Sequence, residues 1–218
     1  GAVTAALQIK NIPTGAGDDL KIDATYAKGN TKAVISTSGG SPSFAMFGDG
    51  RFGAYQSIGF GQTSDAVFLP GFLTGGATGD IKLTEAWGVR GAFNHNWDPF
   101  WSTSFWGSYA GVRYNGDAFD ILSAKGQFCA SFNFGKTRSA DYSCNPDFNI
   151  AQVGMVTRWT PVKNLTFSGE VGAFFLDQKF TGAVGPGGAA VAAPKPVAVY
   201  EFKAQSTVYL NVRVQRNF

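Results

Sequence analysis

A chain of 218 residues is long enough for one domain with a sizeable core, yet charged residues make up only 15% of it and aromatics 15%, against roughly 25% charged in an average soluble domain. That composition suits poorly a surface in water and well a barrel in lipid, which turns apolar residues outward and lines its lumen with polar ones. No apolar run approaches the roughly 20 residues of a membrane helix, so any crossing is made by strands; a net charge of +3, with 18 Lys and Arg spread evenly, argues against nucleic acid as a partner.

The chain opens Gly1-Ala2-Val3-Thr4, with neither an initiator Met nor a signal peptide, and reads as processed or truncated. Val3, Ala5, Leu7 and Ile9 then face opposite to Thr4, Gln8 and Lys10, and a period of two marks a strand with one apolar face. After a short connection over 12–18, Leu20, Ile22, Ala24 and Tyr26 alternate with Asp19, Lys21, Asp23 and Thr25. A long connection over 30–80 follows, and the alternation at 55–60 leaves open whether it hides a hairpin. Within it, Gly48-Asp49-Gly50-Arg51-Phe52-Gly53 matches a dinucleotide-binding pattern, but no helix pattern follows and the stretch reads as loop.

Leu83, Trp87, Val89, Gly91 and Phe93 alternate with Thr84, Gly88, Arg90, Ala92 and Asn94 in the next strand. A short turn at 98–100 leads to a strand over 101–114 in which both parities carry aromatics and Arg113 is assigned to the polar face. The second long connection, 115–148, holds Cys129 and Cys144, the only cysteines of the chain, which are expected to form a disulfide in an oxidising compartment. Ala151, Val153, Met155 and Trp159 then face opposite to Gln152 and Arg158, and Leu165, Phe167, Val171 and Phe175 opposite to Thr166, Ser168, Glu170 and Gly172. Between these two strands, 160–164 is a short turn, and the Asn164-Leu165-Thr166 sequon reads as turn chemistry. A low-complexity loop over 181–197 precedes the clearest strand, in which Tyr200, Phe202, Ala204, Ser206, Val208, Leu210, Val212 and Val214 alternate with polar residues from Glu201 to Gln215.

Short and long connections thus alternate, as they do in outer-membrane barrels with short periplasmic turns and long external loops. The strand count is seven, or nine with the hidden hairpin. Trp87, Trp97, Phe100, Trp101, Trp159, Tyr200 and Phe218 fall at strand ends, where interfacial girdles place aromatic rings. His95 is the only histidine and lies near a short turn, so a catalytic or metal site would rest on it alone. No catalytic residue, metal or cofactor is assigned. The informative set is the inward charge: Lys10, Lys21, Asp23, Arg90, Arg113, Arg158, Glu170, Glu201, Lys203 and Arg213, with Asp19. Facing lipid, each would cost roughly 2–4 kcal/mol, so these residues are expected to line water. Either they make a generic hydrated wall, or opposed rows of charge set up a transverse field that discourages bulky apolar solutes.

Three stretches carry a family resemblance: 87–101 (WGVRGAFNHNWDPFW), 144–162 (CNPDFNIAQVGMVTRWTPV) and 212–218 (VRVQRNF). They resemble the alphaproteobacterial porins of rhizobial and related bacteria, and the likeness covers nearly the whole chain as the C-terminal portion of such a porin. It implies an all-β fold, a transmembrane antiparallel β-barrel of sixteen strands of which this chain supplies about seven. It also implies an outer-membrane, often trimeric assembly with lipid, lipopolysaccharide and the porin's N-terminal portion as partners. Phe218 is similar to the terminal residue by which barrel assembly machinery recognises its clients, while Arg216 stands where that signal prefers an apolar residue. The expected function is a passive water-filled channel for small hydrophilic solutes and ions, not an enzyme. The alternatives are a plugged barrel acting as an adhesin or surface-recognition protein, and a soluble β-sandwich lectin.

Overall fold

The computed structural model describes residues 1–36, 43–48, 56–76, 78–185 and 198–217. In chain order its strands are β1 (Ala2–Lys10), β2 (Asp19–Lys28), β3 (Ser43–Gly48), β4 (Gln56–Gln62), β5 (Ala66–Leu69), β6 (Asp80–Leu83), β7 (Glu85–Asn96), β8 (Trp101–Arg113), β9 (Phe148–Val162), β10 (Leu165–Gln178), β11 (Ala183–Val184), β12 (Tyr200–Phe202) and β13 (Gln205–Arg216). Two helices, α1 (Gly71–Thr74) and α2 (Ala124–Asn133), lie in the long connections.

The alternating segments build one antiparallel wall of seven strands among the described residues, in the order β1-β2-β7-β8-β9-β10-β13. Each strand pairs with the next alternating segment in sequence, so the count of seven holds for the wall. The hairpin hidden in the first long connection exists as β3 and β4, but it joins another sheet and adds nothing to the wall. β1 and β13 do not pair with each other, and the wall is an open arc.

Tight turns join the strands at one end. Asp98 Oδ1 accepts the Phe100 and Trp101 amides at 2.7 and 2.9 Å, folding the β7–β8 turn round a side chain that mimics backbone. Asn11 and Asn164 sit at φ 56° and 68°, in the left-handed region that Asn tolerates better than most residues. The sequon asparagine therefore does serve the β9–β10 turn, which is shorter than expected because β9 continues to Val162.

At the other end the described parts of the long connections form further strands and helices. β11, β12, β4 and β3 form a second, four-stranded sheet, and β5 pairs with β6. This cap packs on one face of the wall: Ile58, Phe180, Tyr200 and Phe202 of the cap share a buried cluster with Ala86, Val112, Phe148 and Leu176 of the wall. Phe44 meets Phe148 edge-on at 5.5 Å between ring centres. A disulfide between Cys129 and Cys144 ties α2 to the segment before β9, as the sequence leads one to expect.

The cap corrects the reading of the last strand. Alternation runs unbroken from Tyr200, but the chain changes sheets between Phe202 and Gln205: β12 lies parallel to β4 in the cap, and only β13 continues the wall. Tyr200 is accordingly a buried cap residue against Phe47, not a girdle aromatic.

Candidate functional site

The capped face of the wall defines its inner side, and register then assigns every wall residue to one side or the other. Inner positions form transverse rows across the strands. One row runs Lys10, Asp19, Asn94, Ser104, Val156, Glu170, Asn211. Nearer the cap, Asp23, Arg90, Ser108, Gln152, Phe174 and Thr207 make another. Beneath the cap the inner side turns apolar, because Ala86, Val112, Phe148 and Leu176 meet protein there; further down it is polar and open.

Of the expected lining residues, Lys10, Lys21, Asp23, Arg90, Arg158, Glu170 and Arg213 stand on this inner side. Asp23 Oδ1 accepts from Arg90 Nε at 2.9 Å. Asp19 pairs with Lys21 at 3.2 Å and accepts Gln8 Nε2 at 2.7 Å. Arg158 donates to Ser104 Oγ at 2.8 Å, and Glu170 Oε1 accepts the Tyr209 hydroxyl at 2.8 Å. Arg213 is opposite Ser168, and Glu170 opposite Asn211, so the two are diagonal neighbours on adjacent strands and not a direct pair. Two glycines make room for inner aromatics: a Cβ on Gly172 would lie 2.6 Å from the Tyr209 ring, and one on Gly154 would strike Trp106.

Three expected lining residues lie elsewhere. Arg113 is opposite Glu85 and shares the outward parity of Tyr109, where its guanidinium donates to the Phe148 carbonyl at 2.9 Å and Asn149 Oδ1 at 2.5 Å. The aromatics on both parities of β8 conceal this: Trp106 faces inward, Phe105 and Tyr109 outward. Glu201 and Lys203 pair with each other at 2.8 Å at the cap strand β12, off the wall. Phe218 and most of the 48–53 glycine stretch lie outside the described residues.

The outward side carries an apolar band bounded at both ends. At the short-turn end Trp101 stacks on Trp159 at 5.7 Å, Trp159 touches Phe167 at 5.3 Å, and His95 meets Trp97 at 4.3 Å. Toward the cap, Trp87 lies 5.4 Å from Tyr109. From Trp101 to Tyr109 the strand runs about 26 Å at roughly 3.3 Å per residue, which at a tilt of roughly 40° covers about 20 Å of the roughly 25 Å apolar band of a membrane barrel. Beyond it lie polar links: Lys28 with Glu85 at 2.9 Å, and Asn149 with Asp177 at 3.0 Å, itself 2.6 Å from Lys179. Arg113 belongs to this boundary.

His95 performs a structural task that the sequence did not disclose. At the short-turn end its Nδ1 lies 2.6 Å from Asp18 Oδ2, which also accepts Thr14 Oγ1 at 2.6 Å, while Asp18 Oδ1 accepts the Asn96 amide at 2.9 Å. Burial opposes ionisation of Asp18, yet the hydrogen bonds from Thr14, Asn96 and His95 prevail and hold its carboxyl at about 2. Asp18 and His95 thus lock two short turns together.

Residues 1–211 match the family model of a porin subfamily. No curated protein and no solved structure gives a significant match.

Proposed function

The chain belongs to the porin subfamily whose model spans residues 1–211, and from that premise we propose that its wall lines a passive, water-filled passage for small hydrophilic solutes and ions. Membership carries with it the β-barrel fold, the bacterial outer membrane and channel function in general terms. The observation that supports the finer reading is the separation of faces: an apolar band outside, and inside a polar surface bearing Lys10, Lys21, Arg90, Arg158 and Arg213 against Asp19, Asp23 and Glu170. Solutes move down their gradients, no bond is made or broken, and the lining is hydrated because these charges are too costly to place against lipid.

Within this arc cations and anions interleave on neighbouring strands, so a transverse field would have to arise between this arc and the wall facing it. The open edges of β1 and β13 support completion of the barrel by further strands, the N-terminal portion of the same porin, to the sixteen of the expected assembly. The polar boundary around Lys28, Arg113 and Lys179 stands where lipopolysaccharide headgroups meet the outward side, and the apolar band suits lipid or the neighbouring barrels of a homotrimer.

A second reading, a plugged barrel whose loops recognise a surface partner, draws on the packed cap at the long-loop end. Planar-bilayer recording separates the two. Stepwise ohmic conductance is the result expected of the channel; a closed membrane with correctly assembled protein would leave the surface-recognition reading standing.

A further inference from the structure

Residues 31–36 descend from β2 onto the inner side of the wall and roof a cavity of 220 Å³. The roof is a built feature. Thr31 donates its amide to Asp65 Oδ1 at 2.7 Å and its hydroxyl to the Thr63 carbonyl at 2.7 Å, which pins the turn. Gly88 then allows it to approach: a Cβ there would come within 2.8 Å of Val34 Cγ1. Below Val34 and Ile35 runs one transverse row, Asp23, Arg90, Ser108 and Gln152, on four consecutive strands of the wall.

The row is not internally satisfied. Arg90 spends Nε on Asp23 Oδ1. Its two terminal nitrogens, the Ser108 hydroxyl and the Gln152 amide have no side-chain hydrogen-bond partner among the described residues. Donors and acceptors therefore line one floor of a roofed cavity, spaced by the roughly 4.8 Å between strands, under an aliphatic ceiling.

We propose that this cavity is a wall subsite for a neutral, polyhydroxylated solute of monosaccharide size. Neutrality follows from Asp23 and Arg90, whose charges cancel, so that an ionic solute would have to compete with an existing pair. Hydroxyls distributed round a ring can take the guanidinium, hydroxyl and amide at once, while the ring's C–H face meets Val34 and Ile35. The volume lies below the roughly 300–1,000 Å³ of pockets for larger ligands, which restricts the site to a single ring. This inference rests on the channel reading and deepens it: a site in a conduit must bind well enough to admit a solute and weakly enough to release it.

The test uses the full assembled protein in planar bilayers with D-glucose and sodium D-gluconate as probes. Glucose is expected to interrupt single-channel current, and Ser108→Ala and Gln152→Ala each to raise the half-blocking concentration ~5-fold, the loss of one hydrogen bond. Open channels that glucose never interrupts overturn the site, as does a block unchanged in both variants; gluconate blocking as well as glucose overturns the neutral class. Should the protein pass no current, the channel reading itself fails, and saturation-transfer NMR of glucose on the detergent-solubilised protein decides the site separately. A transfer signal lost in Gln152→Ala keeps it, and no signal removes it.

Discussion

A carboxylate shut away from solvent stays ionised only where hydrogen bonds replace its water, and Asp18, with none of its surface exposed, has Thr14, His95 and the Asn96 amide to do so. Because its carboxyl is held at about 2 instead of 3.8, folding gains from its ionisation at any pH above the higher value. That gain fades as pH falls toward the lower one. Thermal unfolding in detergent should therefore show the wild type losing stability between pH 4 and pH 2, and Asp18→Asn, already destabilised at pH 5, losing less over the same interval. Parallel pH curves for the two proteins would show that Asp18 does not carry this dependence. On the inner side, Arg213 stands one diagonal step from Glu170 and makes no ion pair among the described residues. Arg213→Gln should shift the reversal potential toward cation preference and Glu170→Gln toward anion preference. Both shifts should shrink in 1 M salt, where the screening length falls to roughly 3 Å; unmoved potentials in both variants would remove these residues from ion selection.

At the scale of elements, period-two alternation marked the strands of the wall other than β8, because each has one side in an apolar medium and the other in contact with water or the cap. The same rule explains what escaped it. β8 carries large aromatics on both sides, Trp106 inward over Gly154 and Phe105 outward, so its parity gave no warning that Arg113 faces away from the lumen. From Tyr200 to Gln215 the alternation stays in phase across a change of sheet, since β12 needs an apolar side for the cap as β13 needs one for its own outward face. Of the cap, the alternation at 55–60 hinted at the β3–β4 hairpin and the rest was illegible: its strands are short, and its partners Val112, Phe148 and Leu176 sit at inner positions where a hydrated wall would want polar residues. The cysteines were read correctly because a pair in one polar connection has few other uses in an oxidising compartment. Their closure of a 15-residue separation should stabilise the cap by ~3 kcal/mol in the chain-entropy account. Reduction should accordingly expose α2 to limited proteolysis while wall strands remain protected, and equal cleavage before and after reduction would count against the clamp.

At the largest scale the described residues make an arc with a folded end: seven strands whose outward side suits lipid, whose inner side is polar below the cap, and over whose inner side, near one rim, the described parts of the long connections pack. Such an arc cannot rest in a bilayer as it stands. β1 is exposed along its entire length, β13 over nearly all of its own, and the two do not meet. Half of the amides and carbonyls on each edge strand point away from their single neighbour, and in hydrocarbon each unsatisfied group costs several kcal/mol. Strand pairing is the remedy open to a sheet there, because water is absent and side chains cannot satisfy a whole edge. Both edges are therefore expected to be paired, in the assembled outer-membrane protein, with strands outside these 218 residues. Hydrogen exchange reads this directly: the β1 amides that point away from β2, and the β13 amides that point away from β10, should exchange as slowly as those of the central strand β8. Rapid exchange along both edges in protein that is membrane-embedded would mean that the arc survives open, and the barrel proposed from it would have to be given up.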